Sequence, residues 1–509
     1  MTERQKLKIP PATGIGLIFV LGICVRLYHL GTPGFCDDEI YTAIRISHPL
    51  LTTIALLGHT QFPPLHYIIL HLWTGVFGNG EWALRFPSVV FSSLTIIVIY
   101  KLGRELMSEG VGLTAAFLLA FSPFAVNYAQ NAKMYALFWL LTAASFLFFF
   151  RYLKDQKDSS YSAYIFTSIL SCYTLFTGFL FLITQSMIFL LTGPRTGLKK
   201  WFTGQLIVVG FCLPWIIYFS SLPHELFYLR PYNVPFNYLA FFFKSLLGII
   251  GNSDHGFWQP NCSFYIFLVT YLAVDVWENL QKKKINSGSF MHYCGLFLWL
   301  SLPVIIYFLF DYLGPRVKLS YRYVGFLQVP LILWVSCSIC NYRGLLKTIL
   351  VLVIGLMAVN NTYIYFKDDL RSPPVVWSDT AVVMAMNGSY KYFHDNLTFP
   401  QEDWHTTAKE IGNEPWQKNL ALSFVELTLF KYYDKTATAR YSMIPEKDFS
   451  SEFLESKGVL RRSIRNIFIL YKDRSAPDVH LNGFFLDHKV QRGQSGLVCY
   501  QRKNQNGFW

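Results

Sequence analysis

The stretch that decides the fold is the apolar run Ala12–Leu30, ATGIGLIFVLGICVRLYHL, followed by Gly31-Thr-Pro-Gly34 and then Phe35-Cys-Asp-Asp-Glu-Ile-Tyr41. An α-helix needs about 20 mainly apolar residues to cross the hydrocarbon of a bilayer, and the first run supplies them. Arg4, Lys6 and Lys8 precede it and no small-residue cleavage site follows it, so it reads as an uncleaved first span that starts in the cytoplasm. The three adjacent carboxylates Asp37, Asp38 and Glu39 then emerge just beyond the far membrane face.

Further runs of spanning length lie near 87–104, 110–125, 134–151, 162–176, 177–193, 202–220, 263–279, 291–311, 322–340 and 345–366. Runs at 63–79 and 237–251 are ambiguous. With about eleven spans, Lys101/Arg104, Arg151/Lys154/Lys157, Arg195/Lys199/Lys200, Lys282–Lys284 and Arg343/Lys347 all fall on the side of the N-terminus, as the positive-inside rule requires. Counting 63–79 as a span moves Lys101/Arg104 to the wrong side. The two ambiguous runs therefore read as interfacial or re-entrant helices, with 13 spans as the upper bound.

The composition agrees with a membrane chain: 53% hydrophobic, 15% charged and 18% aromatic. The net charge of +13 lies in short clusters between apolar runs, with no basic, aromatic-interleaved face, which argues against nucleic acid as a partner. Of the nine cysteines, Cys24, Cys172, Cys212, Cys294, Cys337 and Cys340 lie in apolar runs and read as small buried hydrophobes, the closely spaced Cys337-Ser-Ile-Cys340 included.

The expected organisation is a polytopic α-helical membrane domain at 1–366, with outer loops at 31–86 and 221–262, and a soluble domain at 367–509. The tail is polar, with strand-like runs at Leu420–Val425, Ile467–Leu470 and Gly496–Tyr500 and helix-like stretches near 402–411 and 423–434. It reads as a small α/β domain.

Two readings of the acidic loop are open. Three neighbouring carboxylates at a membrane face raise one another's pKa, and such a group serves as a general base or binds a divalent cation. The plainer reading is a solvated acidic turn that caps a helix at Glu39–Ile46.

Several elements in order carry a resemblance that favours the first reading. They are Asp38-Glu39 with Tyr41 after the first span, Phe62-Pro-Pro-Leu-His-Tyr67, Glu81-Trp-Ala-Leu-Arg-Phe-Pro-Ser88, and Ser122-Pro-Phe124 with Tyr128-Ala-Gln-Asn-Ala-Lys-Met-Tyr135. Tyr321-Arg-Tyr323 precedes a late span, and Gln401-Glu-Asp-Trp404 opens the tail. The chain thereby resembles the GT-C glycosyltransferases that use polyprenyl-phosphate sugars, such as protein O-mannosyltransferases and the lipid A aminoarabinose transferase. The resemblance covers the first 150 residues well, the middle spans by hydropathy alone and the tail loosely.

It implies a GT-C fold and transfer of a sugar from a polyprenyl-phosphate donor to a hydroxyl of a lipid, glycan or protein acceptor outside the cytoplasm, with inversion. Asp38 would be the base, helped by Asp37 or Glu39. Lys133 and Arg322, followed by Arg316 and Lys318, would hold the donor phosphate; Arg45, Arg85, Arg230 and Lys244 are the other cations on the outer side. Tyr41, His59, Gln61, Tyr128, Gln130, Asn131, Tyr135 and Tyr323 would line the substrate site. His59, His66, His224 and His255 otherwise read as surface histidines. The membrane would be a bacterial plasma membrane, or the endoplasmic reticulum of a eukaryote.

The chain departs from the family pattern at three places. Thr60/Gln61 and Asn131 stand where members place acids, which weakens a divalent-metal site built from two loops, and no other cofactor is implied. Lys133 replaces an arginine and keeps the charge without the bidentate fork. The rivals are a transporter or flippase, an inactive paralogue, and a membrane scaffold whose tail binds a partner. Against the first, ionisable groups collect at the outer face and the spans are nearly uncharged except for Arg26.

Overall fold

The computed structural model describes residues 10–32, 35, 37–60, 62–222, 295–306, 309, 323, 325–341, several positions between 355 and 366, and strands between 419 and 502. Arg316, Lys318 and Arg322, the run at 237–251 and the helix-like stretches of the tail lie outside the described residues. The chain divides into two compact units: Met1–Leu30 with Arg45–Ile364, and Gly31–Ile44 with Tyr365–Trp509.

The first unit is helical. Its first described elements are α1 (Pro11–Leu27), α2 (Asp37–Ile46, shared with the second unit), α3 (Leu50–Gly58), α4 (Leu65–Phe77) and α5 (Glu81–Leu106). They are followed by α6 (Glu109–Ala120), α7 (Pro123–Ala129), α8 (Tyr135–Asp155), α9 (Asp158–Cys172), α10 (Gly178–Thr192) and α11 (Leu198–Ser221). Helices at Gly295–Ile306 and Gln328–Asn341 come later. Among the described residues, Glu81–Leu106, Tyr135–Asp155 and Arg195–Ser221 are long and apolar enough to cross a membrane. Leu206, Phe211 and Ile217 stand exposed on α11, an apolar face suited to lipid. The chain is an integral membrane protein. With 13 residues, α4 reaches only about 20 Å, short of the roughly 30 Å hydrocarbon layer.

The run read as a single span at 110–125 is a broken one: α6 and α7 meet at 60°. Pro123 is the cause, because it has no N–H to donate and its ring would collide with the Leu119 carbonyl in a continuous helix. A break at membrane depth frees backbone carbonyls, and these must be satisfied within the protein. Arg26 does most of this: Nη1 donates to Ala120 O (2.9 Å) and Gly22 O (3.0 Å), Nη2 to Leu119 O (3.0 Å), and Nε to Ser92 Oγ (2.9 Å). Thr362 Oγ1 donates to Phe121 O at 2.7 Å. Ser122 caps α7 by accepting from Ala125 N, and Gln328 Nε2 donates to the same hydroxyl.

The helices α5 and α6 approach backbone to backbone. A Cβ on Gly103 would meet Gly112 Cα at 2.8 Å, and one on Gly112 would meet Tyr100 O at 2.6 Å, so both positions require glycine. Salt bridges join Arg151 to Glu105 and Lys200 to Asp158. These link the C-terminal ends of α5 and α8 and the N-terminal ends of α9 and α11, so Lys101, Arg104, Arg151, Lys154 and Lys200 gather at one end of the bundle. Among the described cysteines, Cys172, Cys212 and Cys337 are buried as expected, whereas Cys340 is half-buried and Cys24 is exposed on α1; Cys294 lies outside the described residues.

The second unit contains a five-stranded sheet in the order β2-β1-β3-β5-β4. Its strands are β1 (Asn419–Ser423), β2 (Arg440–Met443), β3 (Asn466–Lys472), β4 (Phe484–Arg492) and β5 (Ser495–Arg502). The pairs β1/β2 and β1/β3 are parallel, and β3/β5 and β4/β5 are antiparallel. Parallel neighbours need crossover connections while β4 and β5 form a hairpin.

Candidate functional site

The end of the helical unit opposite Arg151 and Lys200 is formed by the turn between α7 and α8, residues 130–134. This turn is fixed from α1: Gln130 Nε2 donates to Arg26 O (3.1 Å) and Tyr28 O (2.7 Å), carbonyls released at the helix C-terminus. The Gln130 side chain thus holds the turn in place. Ala132 and Met134 are fully buried, and Lys133 between them is 2% exposed. An ammonium in such a place is costly unless opposed by negative charge, hydrogen bonds or ring faces. Phe62 supplies one face, with Lys133 Nζ 5.5 Å from its ring centroid.

Aromatic rings gather around the same turn. Tyr128 and Tyr135 meet edge to face at 5.1 Å, Tyr135 approaches Tyr323 at 6.3 Å, and Tyr128 abuts Trp139 at 5.1 Å. Phe124 stacks on Trp139 at 5.2 Å. Gly325 makes room for this cluster, since a Cβ there would stand 2.3 Å from Trp139. The structure therefore brings together Tyr128, Gln130, Asn131, Lys133, Tyr135 and Tyr323 of the expected site. Gln61 lies outside the described residues, and His59 is exposed at the C-terminus of α3. Trp73 donates to Ala83 O at 2.9 Å and stacks on Phe77.

One histidine expected at the surface is buried. His66 lies in the first turn of α4 with no exposed area, and neither of its ring nitrogens makes a hydrogen bond of normal geometry, the Ala132 backbone being a polar neighbour. Loss of solvation pushes its imidazole down to about 3; the Ala132 backbone pulls it up in part, and the nearby Lys133 charge pushes it down again. The ring is neutral at physiological pH. It belongs to the Pro63-Pro-Leu-His-Tyr67 element, which starts α4 directly after Phe62.

In the second unit the backbone of α2 begins at Asp37, and the Asp38 and Glu39 carboxylates in its first turn suit the helix dipole. The helix begins two residues earlier than expected. Glu39 is fully buried while Asp38 is half-buried, so the solvated acidic turn does not describe Glu39. Thr42 Oγ1 donates to Asp38 O at 3.0 Å, and Tyr41 is half-buried. Among the described residues, no group of three or more His, Cys, Asp or Glu is placed to hold a metal ion.

The helical unit has a GT-C-like fold, and the chain resembles the GT-C glycosyltransferases. Residues 61–218 match the family described as dolichyl-phosphate-mannose-protein mannosyltransferase. The crystal structure of ArnT from Cupriavidus metallidurans in the apo state is similar at 13% sequence identity and a TM-score of 0.53, over 96% of this chain and 98% of that one. ArnT from the same organism bound to undecaprenyl phosphate gives 12% and 0.50 over the same shares. The archaeal oligosaccharyltransferase AglB from Archaeoglobus fulgidus, in complex with an inhibitory peptide and a dolichol-phosphate, gives 11% and 0.48 over 90% of this chain and 69% of that one. A search of curated protein sequences found no match. At 12–13% identity the likeness to the two ArnT structures concerns the fold alone.

Proposed function

We propose that this protein is a glycosyltransferase that moves a sugar from a polyprenyl-phosphate donor to a hydroxyl-bearing lipid, glycan or protein on the non-cytoplasmic face of the membrane. The observation that carries the reading is Lys133, a cation 2% exposed at the end of the bundle away from the basic clusters, within the region that matches the mannosyltransferase family. The similar ArnT structure that holds undecaprenyl phosphate supports the donor class.

In this reading Asp38 takes the proton of the acceptor hydroxyl as its oxygen attacks the anomeric carbon. The bond from that carbon to the phosphate oxygen breaks, and the lipid phosphate leaves with the electron pair. Attack opposite the leaving group inverts the centre. Lys133 and Arg322, with Arg316 and Lys318, stabilise the negative charge that develops on the phosphate. Tyr41, His59, Gln61, Tyr128, Asn131, Tyr135 and Tyr323 line the sugar and acceptor. Half-buried Asp38 suits a base better than fully buried Glu39, to which a positioning role falls. The membrane domain covers 1–366 and the tail is a small α/β domain on the same outer face, beyond about eleven spans.

The test is Asp38→Asn in correctly inserted full-length protein. Transfer from a polyprenyl-phosphate sugar is expected to fall about 10²–10⁴-fold. Transfer at the parental rate would show that Asp38 is not the base.

A further inference from the structure

Three features converge at the first turn of α4. His66 is fully buried with neither ring nitrogen in a well-formed hydrogen bond, although the Ala132 backbone lies near the ring, at a position where a phenyl ring of similar size would carry no such penalty. Lys133, whose charge acts on the His66 ring, stands over Phe62 just ahead of the helix. The helix itself is 13 residues long and starts at Leu65, so its first free N–H groups add a positive end at the same place. The Leu65 N–H is already taken by Tyr173 O at 3.0 Å, which fixes where this end points. A cation, a helix N-terminus and a ring N–H without a well-formed bond together suit an anion rich in acceptor atoms.

We propose that His66 is a binding residue for the phosphate of a polyprenyl-phosphate lipid, donating one ring N–H to a phosphate oxygen beside Lys133. The assignment rests on the donor proposed above. The neutral ring holds one proton only, so its second nitrogen accepts from a hydroxyl of the same ligand or from water. It supplies direction to the phosphate while Lys133 supplies charge. Proton transfer is no part of its role, because the ring does not charge near neutral pH.

The experiment uses the full-length protein in lipid nanodiscs with three probes: undecaprenyl phosphate, undecaprenol and inorganic phosphate. Wild type is expected to bind undecaprenyl phosphate far more tightly than undecaprenol, and Lys133→Met to lose that preference. His66→Phe is expected to weaken undecaprenyl phosphate about tenfold or more, leave undecaprenol unchanged, and keep or raise the unliganded Tm. His66→Asn, which retains an N–H donor, recovers part of the loss.

The proposal is overturned if His66→Phe binds undecaprenyl phosphate as wild type does, if it loses undecaprenol by the same factor, or if it lowers the unliganded Tm. The first outcome means no contact, and the other two mean a packing role. Inorganic phosphate that stabilises wild type as strongly as the lipid would replace the lipid with a soluble anion. Wild type that fails to bind undecaprenyl phosphate at all overturns the donor reading itself, whereas normal wild-type binding with an unaffected His66→Phe removes only this residue.

Discussion

The break between α6 and α7 and the start of α4 each contain a fully buried basic side chain, and the two are partnered in opposite ways. Arg26 spends its guanidinium on Ser92 Oγ and on the carbonyls of Gly22, Leu119 and Ala120. His66 makes no well-formed hydrogen bond from either nitrogen, with the Ala132 backbone as a polar neighbour. A buried polar group with its partners in place is part of the scaffold, and one without them is costly unless a ligand completes it. The contrast separates a charge that shapes the site from a ring that waits beside it. Both act on the same short turn, for Gln130 hangs residues 130–134 from the end of α1 while Lys133 carries positive charge towards α4.

The largest effect expected from this difference is on stability. Arg26→Met keeps the length and apolar stem of the side chain but leaves the Ala120 carbonyl unpaired at the helix break, and Leu119 O with only the turn N–H groups of Phe121 and Ser122, the latter at 3.4 Å. With each buried acceptor that loses its partner costing roughly 1–3 kcal/mol, a loss of about 3 kcal/mol follows. Thermal unfolding of detergent-solubilised protein reads it, together with faster proteolysis between α6 and α8. An unchanged Tm would mean that the break is held by Thr362 and Gln328 alone.

His66 gives the converse result, of intermediate size. Its pKa is about 3 in the folded protein and near 6.5 when the chain unfolds, so between those values the unfolded state holds a proton that the folded state lacks. The contribution to stability is therefore complete above about pH 6.5 and is lost as pH falls towards 3, by up to about 1.4 kcal/mol per pH unit. Between pH 6.5 and 5 wild type should lose roughly 2 kcal/mol more than His66→Phe. Parallel curves for the two proteins would place His66 in contact with water or a counter-charge.

Much of this contrast was hidden in the sequence, for physical reasons. The helices α5, α8 and α11 are legible because a long apolar run has few alternatives in lipid. The break at Ser122-Pro123 is legible locally, since Ser before Pro opens a new helix, yet hydropathy runs straight through it. What Arg26 does was not legible, because its partners lie 66 to 94 residues away and only packing brings them together. In the site, Lys133 could be picked out as a cation where the positive-inside rule makes cations scarce. His66 could not, because a lone histidine gives no sign of burial; its meaning depends on Lys133, 67 positions further on in a different helix–turn segment. Strand runs in the tail at 420–425, 467–470 and 496–500 overlap β1, β3 and β5, whereas β2 and β4 carry polar and charged residues and gave no alternating signal.

A third set of buried polar groups lies between these extremes. Along the seam of α8, α9 and α10, Ser145 Oγ pairs with Ser168 Oγ at 2.8 Å and accepts from Gln185 Nε2 at 3.0 Å, and Thr142 Oγ1 pairs with Ser171 Oγ at 3.2 Å. Gln185 Oε1 has no partner. If partnering alone set the value of a buried polar group, Ser145→Ala would cost nearly as much as Arg26→Met, because it strands two neighbours. Hydroxyl and amide groups between membrane helices, however, average only about 0.6 kcal/mol per interaction, since stranded groups can turn to a backbone carbonyl on their own helix. Thr167, Thr174 and Thr184 already bond in that way, to Ala163, Leu170 and Leu180. Ser145→Ala should therefore lower stability by only about 0.6 kcal/mol, the smallest shift of the three in thermal unfolding. A double-mutant cycle of Ser145→Ala with Gln185→Leu measures the coupling directly, and a value near that of Arg26→Met would show that the number of partners, and not the charge they satisfy, governs how rigidly this bundle is held.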